Sequence, residues 1–144
     1  MALELVGYWK LEKNENWDEY MAAAGVNILL RKAALNITSY EEISVEEDNQ
    51  EQWHIKHTST FRSRESHPVV GQEFEETTMD GRRVKSVLTI EGNKLVYRQK
   101  AMTEGEIDTT VTREVLSDGR LLTTFVAEGK DVTARRYFVR YQPV

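Results

Sequence analysis

The sequence predicts an all-β fold: a ten-stranded antiparallel up-and-down barrel carrying one short helical hairpin near its start. Three observations lead there. From Ser39 onward the chain runs in stretches of five to eight residues rich in Val, Ile, Thr, Tyr and Phe. Glu47-Asp48-Asn49, Asp80-Gly81, Gly92-Asn93, Glu104-Gly105, Asp118-Gly119 and Glu128-Gly129 separate these stretches, and such residues favour hairpin turns. Several stretches place apolar side chains on one face and Thr, Gln or Arg on the other, which is too polar for the dry core of a sandwich and suits a barrel around a wet cavity.

The elements follow in order. A first strand over Val6 to Glu12 precedes a helix capped by Asn16, with Glu19 as the acidic member of a capping box. Trp17, Tyr20 and Met21 share one face of that helix, at spacings of three and four. Gly25 ends it, and Val26, Leu29, Leu30 and Ala33 form the apolar face of a second helix, with Arg31 and Lys32 pointing elsewhere. Pro68 has no backbone donor and belongs at a strand end or a gap in the ladder. Repeats, linker-like runs and low-complexity segments are absent, so residues 1–144 read as a single domain.

Composition narrows the function. With no cysteine, the chain has no disulfide, no thiolate zinc site and no cysteine nucleophile. A net charge of −5 argues against nucleic acid as the partner. Met1 to Lys13 carries Glu4, Lys10, Glu12 and Lys13 and no apolar run, so neither an export signal nor a membrane span is expected, and the cytosol is the expected compartment. The acidic stretch Glu41 to Glu51 and the basic pairs Arg31/Lys32, Arg62/Arg64 and Arg82/Arg83 read mostly as solvated faces. The odd spacing of His54 and His57 puts them on opposite faces of a strand; with His67 they make a poor metal or triad set, and neither metal, cofactor nor catalysis is expected.

The candidate chemistry lies in two arginine-bearing strands. In Asp108 to Val115, Arg113 shares a face with Thr109 and Val111. In Asp131 to Tyr141, one register turns Ala134, Arg136 and Phe138 inward, and the other turns Thr133, Arg135 and Tyr137 inward; alternation does not decide between them. An inward guanidinium stays charged, and burying it without an anion costs several kcal/mol. The anion is either a protein carboxylate, Glu73 or Glu76, or the carboxylate of a ligand held by forked hydrogen bonds. The residues alone leave both open.

Gly7-Tyr8-Trp9-Lys10-Leu11, followed by Glu15-Asn16-Trp17-Asp18-Glu19-Tyr20-Met21, closely resembles the signature of the intracellular fatty-acid-binding and retinoid-binding protein family, a calycin-like group. Trp17 departs from it, standing where Phe or Tyr is usual. Further matches are Gly25-Val26-Asn27, Leu30-Arg31-Lys32, Ser59-Thr60-Phe61, Gly71-Gln72-Glu73-Phe74-Glu75-Glu76-Thr77, Asp80-Gly81-Arg82, Val84-Lys85-Ser86 and Thr112-Arg113-Glu114. The resemblance implies a barrel lidded by the helical hairpin, with a portal beside the lid. It also implies a monomeric, non-enzymatic cytoplasmic carrier of a hydrophobic carboxylate, with nuclear entry left open.

Members of that family bind a carboxylate near two arginines. The resemblance assigns Arg113 as the first. The flanking Asp131-Val132 and Val139-Arg140 favour Arg136 as the second, which puts Phe138 in place of the family's Tyr; the rival pair, Arg135 with Tyr137, keeps the literal Arg-any-Tyr pattern. A missing hydroxyl removes one hydrogen bond to a charged group, about 1.5–3 kcal/mol. At the portal and cavity the resemblance places Phe61 as a gating aromatic, Arg62 as its basic neighbour, Trp17, Tyr20 and Met21 on the first helix, and Val26, Leu29 and Ala33 on the inner face of the lid; Trp9 packs at the closed end.

Long-chain fatty acid is the first expected ligand. Retinoic acid is the runner-up, because Gly25-Val26-Asn27, Phe74-Glu75-Glu76 and Ser117-Asp118-Gly119 resemble the retinoic-acid branch. About fourteen buried methylenes at ~0.8 kcal/mol each give a gross gain of about 11 kcal/mol, so the tail sets affinity and the arginines select the head group. The rival classes are a secreted lipocalin, which shares the Gly-any-Trp opening, and an interaction protein that delivers cargo to an anionic membrane through Arg31, Lys32, Arg62 and Arg64.

Overall fold

The computed structural model describes residues 2–60 and 62–143 of the chain. A 3-10 turn, Ala2–Leu5, leads into β1 (Gly7–Glu15), then α1 (Trp17–Ala23) and α2 (Ile28–Leu35). Nine further strands follow: β2 (Ser39–Val45), β3 (Trp53–Ser59), β4 (Ser63–Ser66), β5 (Phe74–Thr77), β6 (Arg83–Glu91), β7 (Lys94–Ala101), β8 (Thr109–Val115), β9 (Leu121–Ala127) and β10 (Val132–Arg140). They form one antiparallel sheet in the order β4-β3-β2-β1-β10-β9-β8-β7-β6-β5, a meander closed on itself by the pairing of β1 with β10. The predicted ten-stranded barrel is the fold observed.

The seam lies between β4 and β5. Pro68 sits there, buried, and its carbonyl accepts the Trp53 amide at 2.9 Å; Val70 N donates to Glu51 O and Gly71 N to Leu88 O, each at 2.8 Å. Pro68, which cannot donate, thus lies at the gap that the strand order leaves between β4 and β5.

β1 runs on past the expected end, and its pairing with β10 slips between Leu11 and Lys13. Leu11 faces Phe138, Glu12 is skipped, and Asn14 faces Arg136. This bulge reverses the alternation: a regular strand would turn Lys13 inward after Trp9 and Leu11, whereas here Asn14 takes that side.

The apolar interior falls into two clusters. At the closed end Trp9, Leu5, Ile43, Trp53, Leu88, Leu95, Leu121 and Phe138 pack together, and Trp9 Nε1 donates to Leu5 O at 2.9 Å, as the packing role expected of Trp9 requires. Under the lid Tyr20, Ile107, Ala127 and Ala134 form the second, with Trp17 and Val132 against it. Phe125 touches both. Between them lie buried polar side chains: Ser39, Glu41, Thr109, Arg113, Thr123 and Arg136.

The lid corrects two expectations. Asn16 occupies the N-cap of α1 in the left-handed region (φ 57) and makes no capping hydrogen bond; its Nδ2 donates to Thr133 O at 3.3 Å instead. The side chain that does cap is Asn27, whose Oδ1 accepts from Leu30 N at 3.0 Å. Asn27→Ala is therefore expected to lose about 1 kcal/mol, read as a shift of the urea midpoint, while Asn16→Gly stays within about 0.5 kcal/mol because its backbone already suits glycine.

The second correction concerns α2. No residue of this helix is buried; Leu29, expected on the inner face, is 78% exposed, Leu30 is exposed as well, and Val26 and Ala33 are half-buried. Periodicity identifies an apolar arc but not what it faces. Here α1 is the main neighbour of α2, and Arg31 makes that contact, with Nε 3.0 Å from Asp18 Oδ1 and Nη1 2.8 Å from Val26 O.

Candidate functional site

Strand register builds a transverse row of polar residues. Arg113 on β8 pairs with Thr123 on β9, Thr123 pairs with Arg136 on β10, and Arg136 pairs with Asn14 on β1. Directly paired residues share a face and lie about 4.5–5.5 Å apart at Cβ, so Thr123 stands in the row between the two arginines. Arg113 is 8% exposed and Arg136 is 4% exposed. In β10 Ala134, Arg136 and Phe138 are buried, whereas Arg135 is exposed and Tyr137 donates its hydroxyl to Glu15 Oε1 at 2.9 Å. The structure thus places Arg136 and Phe138 together inside, with Arg135 and Tyr137 on the other face.

Arg113 already has an anion. Its Nε and Nη2 donate to Oε1 and Oε2 of Glu41, both at 3.0 Å, in a forked pair with Glu41 2% exposed. Neither expected partner makes this contact. Glu73 is exposed, and Glu76 accepts from Ser86 Oγ at 2.6 Å and Tyr97 OH at 2.5 Å. Glu41 belongs to a stretch read as solvated, yet alternation along β2 turns Ser39, Glu41 and Ile43 inward. Nδ1 of His57 lies 3.1 Å from Glu41 Oε2. Burial alone would raise the Glu41 pKa, but Arg113 and His57 overcome it and hold the carboxyl well below its ordinary range. Burial and the neighbouring Glu76 together push the Tyr97 hydroxyl up.

Arg136 is in a different position. Its Nε donates to Asn14 Oδ1 at 2.9 Å and its Nη2 to Ser39 Oγ at 3.4 Å, both neutral acceptors. The Trp17 ring lies 4.2 Å from its guanidinium carbon and the Phe138 ring 5.8 Å. No carboxylate among the described residues forms an ion pair with it. Burial pushes its pKa down to about 10, only partly opposed by Glu41 nearby, so it stays cationic at neutral pH in a costly environment. Beside it Thr123 Oγ1 is buried with no hydrogen-bond partner in the protein, which costs about 1–3 kcal/mol. A cation facing only neutral acceptors and an orphaned hydroxyl in the same row are what an incoming carboxylate would satisfy.

The lid reaches this row through Trp17, which stacks on Tyr20 at 5.4 Å and meets Phe125 edge-on at 4.8 Å. Tyr20 and Met21 are buried, and burial drives the Tyr20 hydroxyl up to about 12. Arg82, read as part of a solvated pair, is buried: Nε is 2.7 Å from Asp80 Oδ2, and Nη1 donates to Ile107 O at 3.1 Å. A cleft of about 230 Å³ opens here, between the end of α1 (Ala23, Ala24), the Asp80-Gly81-Arg82 turn and Gly105 to Ile107. Arg62 is exposed and spans the seam, its Nη1 2.5 Å from Met79 O. Phe61, the expected gating aromatic, lies outside the described residues. His54 and His57 do fall on opposite faces, with His54 joined to Glu46 and His67, each at 2.6 Å. No group of three or more metal-ligating side chains is assembled among the described residues.

Sequence reasoning missed Glu41, Thr123 and Asn14. Alternation gave a signal for the first two, because Glu41 shares its face with Ile43 and Thr123 with Leu121 and Phe125. For Asn14 there was none, because the bulge that turns it inward leaves no mark in the residue pattern.

A profile of the lipocalin / cytosolic fatty-acid binding protein family matches residues 6–142. The chain belongs to this family. Among its relatives in the lipocalin / cytosolic fatty-acid binding protein family, fatty acid-binding protein homolog 6 of Caenorhabditis elegans is 41% identical over 140 residues, covering 97% of this chain and 99% of the relative. Cellular retinoic acid-binding protein 2 of Rattus norvegicus is 36% identical over 135 residues, covering 93% and 96%. A solved family structure, the Schistosoma mansoni fatty acid binding protein in complex with arachidonic acid, superposes with a TM-score of 0.85 at 30% identity, covering 98% of each chain. The family is one of lipid-binding carriers, and the expected barrel and kinship both hold.

Proposed function

We propose that this protein binds and carries a hydrophobic carboxylate without covalent change, and that the cargo is a long-chain fatty acid. The observation that carries the reading is the buried Arg136 guanidinium, which faces only neutral acceptors beside the unpartnered Thr123 hydroxyl. The acid group sits against Arg136 and Thr123, Trp17 and Phe138 flank it with their rings, and the alkyl tail takes the apolar interior. Because Phe138 has no hydroxyl, Thr123 Oγ1 supplies the hydrogen bond that a tyrosine there would give. Relatives named for fatty acid binding support the choice of cargo, including one whose structure holds arachidonic acid. Retinoic acid is the second reading, supported by the relatives named for it. Kinship also supports a cytoplasmic, non-enzymatic carrier, acting in this reading as a monomer that touches anionic membrane only in passing.

Mass spectrometry of lipid extracted from natively purified protein tests the cargo. Free long-chain fatty acids at near-stoichiometric yield are the expected result. Retinoic acid would establish the second reading, and neutral lipid alone would overturn the carboxylate site.

A further inference from the structure

The proposed head-group site contains a carboxylate of the protein's own. Glu41 grips Arg113 through both oxygens at 3.0 Å and lies buried, with His57 3.1 Å away on its other side. Its negative charge is felt by both arginines, and Glu76 adds a second negative field at Arg113. A ligand carboxylate approaching Arg113 would find only the Nη1 and Nη2 hydrogens that the Glu41 fork leaves over, and would lie against the Glu41 carboxylate in a poorly screened interior. Like charges so placed repel strongly, and Glu41 already balances the charge of Arg113. Arg136 presents no such obstacle, since Asn14 and Ser39 give up neutral hydrogen bonds at little cost.

We infer that Glu41 is a specificity-determining residue: by occupying Arg113 it confines the ligand's acid group to Arg136 and Thr123, so that the site accepts one negative charge and rejects a second. This deepens the carboxylate-carrier reading and rests on it. Glu41 and Arg113 together form a neutral wall on the far side of Thr123, and the fork fixes the Arg113 side chain so that it cannot swing across to share the ligand. The selectivity follows from charge. A monoanionic carboxylate neutralises Arg136 and stops there, whereas a dianionic phosphate monoester brings a second charge toward Glu41 with no cation left to meet it.

The probes are palmitate, hexadecanol and hexadecyl phosphate, titrated at about pH 8, where the phosphate is largely dianionic. Wild-type protein is expected to bind palmitate at least about 30-fold more tightly than hexadecanol, and hexadecyl phosphate no better than palmitate. Removing the pair as a unit, in Glu41→Leu/Arg113→Leu, replaces a neutral wall by an apolar one and should leave palmitate within about threefold of wild type. Glu41→Gln keeps a hydrogen-bond acceptor against Arg113 but removes the charge, and should raise affinity for hexadecyl phosphate by about tenfold or more, with a smaller gain for palmitate.

If the double variant drops palmitate to the hexadecanol level, Arg113 itself holds the head group and the inference fails while the carrier reading stands. If the double variant does not fold, Glu41→Gln decides alone: unchanged hexadecyl phosphate affinity overturns the role of Glu41. If wild-type protein binds palmitate and hexadecanol equally, the carboxylate reading itself fails and takes this inference with it.

Discussion

Replacing Arg136 by Gln is expected to weaken palmitate binding by roughly 30- to 150-fold while hexadecanol stays within about threefold, measured by displacement of a fluorescent fatty acid. The size follows from the loss of charge-assisted hydrogen bonds worth about 2–3 kcal/mol, at 1.4 kcal/mol per tenfold. The alcohol keeps its tail burial and never depended on the charge. The same substitution should leave the unliganded protein equally or more stable, by about 1–3 kcal/mol, because it removes a buried cation whose partners are all neutral. Opposite signs for binding and stability mark a site where the fold tolerates a cost for the sake of a ligand. Equal losses for acid and alcohol would mean that Arg136 acts only by supporting the barrel.

Glu41→Leu alone has the largest expected effect on stability. It leaves Arg113 buried with its main counter-ion gone, and breaking such a pair from one side costs about 3–5 kcal/mol, a fall in melting temperature of about 10 °C for a chain of this size. The Glu41→Leu/Arg113→Leu double variant should recover most of that loss. Acid should reproduce part of the effect in wild-type protein. The folded-state pKa of Glu41 lies below the ordinary 4.5, so its contribution is fully present above 4.5 and drains away as the pH falls toward the folded value. In circular dichroism melts, lowering the pH from about 7 to about 3.5 should therefore reduce the melting temperature of wild type more than that of the double variant, which lacks Glu41. A constant gap between them would place the acid sensitivity elsewhere.

Much of this was legible in the residue pattern, for identifiable reasons. Hairpin turns and alternation gave the strands, and the missing amide of Pro68 was compatible with the seam it occupies. Arg113 and Arg136 were singled out as inward cations by the resemblance to the family, since alternation alone did not fix the face of either. Their partners could not be read, since pairing across a barrel joins residues far apart in sequence, and the contact of Arg113 with Glu41 spans 72 positions. The register of β10 was undetermined because Arg135 and Arg136 are adjacent and identical, so a slip of one residue swaps like for like. Leu29 was misplaced because a helix's apolar arc is visible in the sequence and its neighbour is not. Arg82 was read as solvated because nothing local shows that the Ile107 carbonyl and Asp80 would enclose it.

The seam between β4 and β5 bears on how the protein stays dispersed. A barrel left unzipped along one line presents two rows of unsatisfied amides and carbonyls, an invitation for another molecule to add its own strand. Here both rims are only four residues long, Ser-Arg-Glu-Ser on one side and Phe-Glu-Glu-Thr on the other. Each is too short to template a stable ribbon and carries charge where a docking chain would have to lie. The unpaired line thus offers a foreign strand little to extend.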